Sequence, residues 1–145
     1  PKPLSLRKTF AGTRLVVIGG TGFLGKVWWV LMLDRYPDIE RLYLMVRSRP
    51  GRSAEERFWG DIATSECLSP LRDRHGDGFE AFLREKIVVL DGDITQPMCG
   101  MSGQRRDALR GNIDAVINGG LEKRLCASAG STRHSKPVRI DFIQR

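Results

Sequence analysis

The chain has 145 residues, of which 41% are hydrophobic and 28% charged, and its formal net charge is +7. This length and composition indicate one globular domain and exclude a largely disordered chain. The longest apolar run, residues 27–33, is too short to span a bilayer, and residues 1–14 lack the apolar core of a signal peptide. Lys and Arg are scattered along the sequence. We therefore expect a solvated basic surface, no membrane span and no nucleic-acid partner.

The cysteines indicate a reducing compartment. Cys67, Cys99 and Cys126 are an odd number, and none lies in a Cys-x-x-Cys pair. This pattern argues against a disulfide framework and against a zinc site. The two histidines, His75 and His134, stand alone in polar surroundings. We expect no metal site and a cytoplasmic protein.

A glycine-rich motif follows the first predicted strand, residues 15–18. Gly20, Gly22 and Gly25 have the Gly-x-Gly-x-x-Gly spacing, and Gly19 begins the looser Gly-x-x-Gly-x-x-Gly pattern. Glycine permits a tight turn, a close approach of a pyrophosphate and close packing of the next helix. Because a strand precedes the motif and a helix follows it, we favour a dinucleotide site over a purely structural turn.

The helix after this motif is predicted to end before Pro37. Its predicted buried stripe has the spacing i, i+3, i+4, i+7, i+8 and consists of Leu24, Val27, Trp28, Leu31 and Met32. Its predicted outer face is also apolar, with Trp29, Val30 and Leu33. Such a face suggests burial against another surface or a risk of aggregation.

The rest of the chain alternates short apolar strands with helices. Further strands are predicted at residues 41–47, 87–90 and 115–118, and helices over most of residues 53–86 and over 102–110. The pattern predicts an α/β fold, a Rossmann-type doubly wound parallel sheet that is truncated after about four strands. Residues 1–118 would be the N-terminal part of a dinucleotide-binding Rossmann domain, and residues 119–145 a basic, poorly ordered tail.

The residue at the end of the second strand determines which dinucleotide is preferred. An NAD-specific site places Asp or Glu there, to accept hydrogen bonds from the ribose 2′-hydroxyl. This chain has Arg47, and a guanidinium attracts a 2′-phosphate that a carboxylate would repel. The sequence therefore favours NADP(H) over NAD(H). Asp93, after the third strand, could accept a hydrogen bond from the adenine amino group, and Ile94 could offer its N–H and an apolar wall.

These features together resemble the extended short-chain dehydrogenase/reductases, and more narrowly the male-sterility-type NAD-binding domain of fatty acyl-CoA reductases. The matching stretches are residues 19–27, 36–39, 42–47, 53–57, 85–88, 92–94 and 114–118. The resemblance implies an oxidoreductase of lipid metabolism that reduces a long-chain acyl-CoA thioester with NADPH to an aldehyde or alcohol.

The resemblance also implies roles for individual residues. The pyrophosphate would be cradled by Gly19, Thr21, Gly22, Phe23, Leu24 and Gly25. Arg47 would hold the 2′-phosphate, and Asp93 and Ile94 would frame the adenine. Residues 119–124 depart from the small residues that the family places after the fourth strand, so cofactor contacts beyond Asn118 are not predicted.

The proton donor of the family is missing from this chain. The family uses a Tyr-x-x-x-Lys pair, but Tyr36 is followed at the fourth position by Glu40, and Tyr43 by Arg47. We therefore assign no catalytic residue and interpret the chain as a fragment that carries the dinucleotide-binding half. Alternatives are a non-catalytic dinucleotide-binding module and other members of the superfamily: a reductase of carrier-bound acyl thioesters, a sugar epimerase or a sterol dehydrogenase.

Overall fold

The computed structural model of the chain describes residues 5–119, which contain a four-stranded sheet. The strands are β1 Arg14–Ile18, β2 Arg41–Val46, β3 Ile87–Asp91 and β4 Ala115–Asn118. All three pairings are parallel, and the strand order is β3-β2-β1-β4. The chain moves outward from β1 to β3 and then returns to the other side of β1. This order confirms the predicted Rossmann-type class, and its switch point is where open α/β sheets bind ligands.

Six α-helices connect and cover the strands in the described part of the chain. They are α1 Leu6–Phe10, α2 Phe23–Arg35, α3 Ala54–Arg57, α4 Ser69–His75, α5 Phe79–Lys86 and α6 Gly103–Leu109. A π-helical turn, Phe58–Ile62, extends α3, and the short 3-10 turns are Glu66–Leu68, Gly76–Gly78 and Pro97–Gly100. The predicted helical region 53–86 is therefore confirmed as a series of short helices.

Apolar residues alternate between the two faces of the sheet. Leu15, Val17, Leu42, Leu44 and Val46 belong to a large core cluster with α2 and the helices between β2 and β3. Val16, Ile18 and Met45 belong to a smaller cluster with Leu90, Cys99, Met101 and Leu109. Both faces of the sheet are thus covered, as a parallel sheet requires.

The predicted buried stripe of α2 is wrong. The buried residues of this helix are Trp29, Val30, Met32 and Leu33, whereas Leu24 and Leu31 are 77% and 43% exposed. Only Met32 of the predicted stripe is buried, and the predicted outer face is the one that meets the sheet. The reason is that α2 is apolar on nearly all sides, so periodicity alone could not choose the face.

The predicted tail, residues 119–145, lies outside the described residues except for Gly119, whose N–H donates to the Ile18 carbonyl. Among residues 5–119, no helix combines the length and the apolar character needed to span a bilayer.

Candidate dinucleotide-binding site

The glycine motif forms a tight turn between β1 and α2. Gly19 has a φ of +79°, a left-handed conformation that favours glycine. Its carbonyl oxygen accepts a hydrogen bond from the Gly22 N–H at 3.3 Å. A Cβ on Gly25 would lie 2.1 Å from that same oxygen and 2.8 Å from the Cα of Gly20. Only glycine at position 25 therefore allows α2 to start this close to the turn.

The turn is also anchored from beneath by a tryptophan. The indole Nε1 of Trp29 donates to the Gly20 carbonyl at 3.0 Å, and the Trp29 side chain is fully buried. A Cβ on Gly20 would lie 3.1 Å from Leu44 and 3.2 Å from Val17. The floor of the turn is thus packed and hydrogen-bonded. Sequence reasoning missed this anchor because it assigned Trp29 to the outer face.

The upper side of the turn is open. Gly22 is the N-cap of α2 and makes no side-chain capping bond, so the N–H groups of the first helical turn remain available to a ligand. Phe23 and Leu24 are 74% and 77% exposed, and Thr21 is half-buried. A Cβ on Gly22 would come no closer than 3.7 Å to the Gly19 oxygen. An anion could therefore approach this backbone closely.

Arg47 and Asp93 come together at the carboxyl ends of β2 and β3. The Arg47 Nη1 lies 3.3 Å from the Asp93 Oδ2, with side chains 59% and 22% exposed. The other carboxylate oxygen of Asp93 accepts from the Thr95 N–H at 2.9 Å and from the Thr95 hydroxyl at 2.7 Å. The bonds from Thr95, with a smaller contribution from Arg47, lower the pKa of Asp93. Ile94 is 45% exposed beside it.

Arg47 and Asp93 line an open cleft of about 420 Å³. Its lining consists of Arg47, Ser48, Asp91, Gly92, Asp93, Gln96, Cys99, Gly100, Met101, Ser102 and Arg105. Gly92 leaves little room here, because a Cβ would lie 3.0 Å from the Cys99 carbonyl oxygen. The cleft lies over the carboxyl ends of β2 and β3, the edge at which open α/β sheets bind ligands.

The profile of the male sterility protein family, an NAD-binding domain, matches residues 17–130. That range is most of the chain. The chain belongs to this family. Its cofactor is accordingly a nicotinamide dinucleotide, and the predicted family and fold are confirmed.

The curated relatives of this male sterility domain are reductases. The chain is 34% identical over 106 residues to fatty acyl-CoA reductase 8 of Arabidopsis thaliana, covering 72% of this chain and 21% of that protein. It is 28% identical over 115 residues to fatty acyl-CoA reductase 1 of Mus musculus, covering 79% of this chain and 21% of that protein. The chain thus spans about a fifth of the length of these relatives.

A solved structure has the same fold. The terminal R domain from the myxalamid PKS-NRPS biosynthetic pathway matches with a TM-score of 0.56 and 27% identity, over 77% of this chain and 25% of that one. The R domain of a non-ribosomal peptide synthetase from Mycobacterium tuberculosis matches with a TM-score of 0.55 at 20% identity, which supports the fold alone.

Within this male sterility domain, the loop after β2 contains contacts that sequence reasoning missed. The Arg57 guanidinium donates through Nη1 to the Arg47 carbonyl, and so ties α3 to the start of the loop. Partial burial, together with the neighbouring Arg49, lowers the pKa of Arg57. Arg52 is held by two bonds to Asp61, at 3.0 and 3.1 Å. The positions of the arginines in the sequence do not predict these contacts.

The two tyrosines of the described region are structural. Tyr36 is the C-cap of α2, and its ring packs against Phe10 at 5.2 Å between centroids. Tyr43 lies on β2 and packs against the smaller core cluster. In this part of the chain we assign no proton donor for a carbonyl substrate.

Proposed function

We propose that this chain is the NADP(H)-binding portion of an oxidoreductase that reduces long-chain fatty acyl-CoA to an aldehyde or alcohol. One observation carries the choice of cofactor. The end of β2, where an NAD-specific site has a carboxylate, instead presents Arg47 at the mouth of the cleft. A guanidinium there pairs with a 2′-phosphate through charge-assisted hydrogen bonds.

The geometry of the described residues fits this cofactor. The pyrophosphate would lie over the turn, cradled by Gly19, Thr21, Gly22, Phe23, Leu24 and Gly25. The open N–H groups at the start of α2 would face its oxygens. Arg47 would hold the 2′-phosphate, and Asp93 and Ile94 would frame the adenine. The chemistry that the bound cofactor supplies is hydride transfer to the acyl carbon.

The substrate class rests on the relatives. The matched proteins from Arabidopsis and mouse are named fatty acyl-CoA reductases. We therefore propose an acyl-CoA thioester as the substrate. An acyl group on a carrier is the second candidate, favoured by the structural match to the terminal R domain. A non-catalytic dinucleotide-binding module is the third. The free thiols of Cys67 and Cys99 are compatible with the cytoplasm, which we propose as the location.

Equilibrium binding of NADPH and NADH to the 145-residue chain tests the proposal. Calorimetry would give both dissociation constants for the wild type and for Arg47→Asp. We expect the wild type to bind NADPH at least about tenfold more tightly than NADH, and the variant to lose that preference, because a charge-assisted bond is worth about 1.5–3 kcal/mol.

Arg110→Asp is the matched control. Arg110 lies at the exposed end of α6, where it pairs with Asp107 at 3.7 Å, and it does not line the cleft. This variant makes the same change of charge and should keep the preference for NADPH. A folded wild type that bound both nucleotides equally, or neither, would overturn the proposal.

A further inference from the structure

We propose that Arg105 is a second ligand for the 2′-phosphate and helps to determine the specificity for NADP(H). The proposal rests on the proposed function and adds to it a residue from another element of the fold. Arg105 lines the same cleft as Arg47, although 58 positions separate the two in the sequence.

The local structure holds Arg105 at the cleft. Ser102 is the N-cap of α6, and its hydroxyl accepts the Arg105 backbone N–H at 3.3 Å. Met101 and Leu109, on either side of this turn, are buried in the smaller core cluster. The helix is thus anchored to the sheet before and after Arg105, so the first turn cannot rotate its side chains away from the cleft without unpacking.

The charge of the cleft favours a second cation as a phosphate ligand. Two carboxylates line it, those of Asp91 and Asp93, and Arg47 is already ion-paired with Asp93. Without Arg105 the charged lining would be one guanidinium against two carboxylates. A 2′-phosphate carries between one and two negative charges near neutral pH, so such a cleft would repel it. Arg105 restores the balance.

The guanidinium of Arg105 is also available. Within residues 5–119 it makes no ion pair or side-chain hydrogen bond. By contrast, the guanidinium of Arg110, just after α6, is paired with Asp107. A phosphate bound between Arg47 and Arg105 would give this guanidinium an acceptor of matching geometry.

Two small probes isolate the 2′-phosphate from the rest of the cofactor. Adenosine 2′,5′-bisphosphate and 5′-AMP differ only by that group, and calorimetry on the 145-residue chain would give both dissociation constants. We expect Arg105→Gln to weaken the bisphosphate about tenfold and to leave 5′-AMP unchanged, which is the loss expected for one charge-assisted hydrogen bond.

Arg110→Gln is the control, because it removes one positive charge from the same helix outside the cleft. It should change neither constant by more than about twofold, since long-range effects between exposed charges are screened. The inference is overturned if Arg105→Gln weakens both probes equally, which would indicate a contact with the part that both probes share, or if it weakens neither.

The failure of this inference differs from the failure of the proposed function. If the wild type prefers the bisphosphate and only Arg47→Asp removes the preference, Arg105 is not a ligand, but the cofactor proposal holds. If the wild type shows no preference between the probes, the assignment of NADP(H) itself is wrong.

Discussion

The two ends of the candidate site, the glycine turn and the cleft, present different chemical groups. The glycine turn presents backbone, and its shape depends on the absence of a side chain at Gly25. The cleft at the ends of β2 and β3 presents charged side chains, among them Arg47 and Asp93, with 59% and 22% of their surface exposed. The first end is fixed by steric contacts, and the second by electrostatic balance.

Because of this difference, the folding of the site and its choice of cofactor depend on different residues. Atoms that overlap below van der Waals distance cannot be accommodated by small adjustments, so the turn either forms or does not. Exposed charges are screened by solvent and can be exchanged singly. We therefore expect substitutions in the turn to affect folding, and substitutions in the cleft to affect the choice of cofactor.

The largest expected effect is at Gly25. In Gly25→Ala, the Cβ would lie 2.1 Å from the Gly19 carbonyl oxygen, so the start of α2 must move away from the turn. We expect a loss of about 4 kcal/mol or more in the free energy of unfolding, because this is backbone overlap and not a flexible contact. Urea denaturation followed by circular dichroism measures it.

Gly22→Ala is the matched control, because its Cβ would stay 3.7 Å from the nearest protein atom. This variant should fold with nearly wild-type stability and bind the pyrophosphate less tightly. If both variants unfolded alike, steric fit would not explain the turn.

A smaller effect is expected at Trp29. Trp29→Phe keeps most of the apolar volume but leaves the buried Gly20 carbonyl without its 3.0 Å donor. An unsatisfied buried acceptor costs about 1–3 kcal/mol, so the free energy of unfolding should fall by that amount, as measured in urea. Trp28→Phe, at a half-buried position of the same helix, should cost less. An equal loss in the two variants would contradict a specific role for the indole N–H.

The smallest effect is expected at the cap of α3, which supports the loop after Arg47. The Ser53 N–H donates to the Glu56 carboxylate at 2.7 Å, and the Glu56 N–H donates to the Ser53 hydroxyl at 3.1 Å. These bonds lower the pKa of Glu56. Its contribution to stability is therefore fully present above the pKa of the unfolded chain, roughly 4.3, and is lost as the pH falls through the lower folded value.

Glu56→Gln should flatten this part of the acid dependence of stability, as followed by thermal melts between pH 3 and pH 7 in steps of about half a unit. The preference for NADPH at neutral pH should remain, because Glu56 does not line the cleft. An unchanged acid dependence would mean that the capping box does not persist in solution.

Local features of the fold could be predicted from the sequence. The four strands and the helix that ends before Pro37 are confirmed within a residue or two. Each depends on contacts between near neighbours in the chain. The wrong stripe of α2 shows the limit, because a helix that is apolar on several sides gives its sheet-facing side no distinct pattern.

Contacts between distant residues could not be predicted. Arg47 and Asp93 were each assigned to the cofactor, but the ion pair between them depends on side-chain geometry. Arg57 and Arg105 gave no signal in the sequence, because an arginine on a short helix is typical of a solvated surface. The roles assigned to the cofactor-binding residues remain predictions until binding is measured.

The 3-10 turn beside the cleft leaves room for engineering. Met98 and Cys99 have φ values of +52° and +58°, a left-handed conformation that is costly for residues with a Cβ. Met98 is 44% exposed, so its side chain is only partly packed against the protein. Glycine at position 98 would relieve the backbone at the cost of that partial packing. A more heat-resistant form of this domain could therefore be obtained by shortening a side chain, at a position next to the site and not within it.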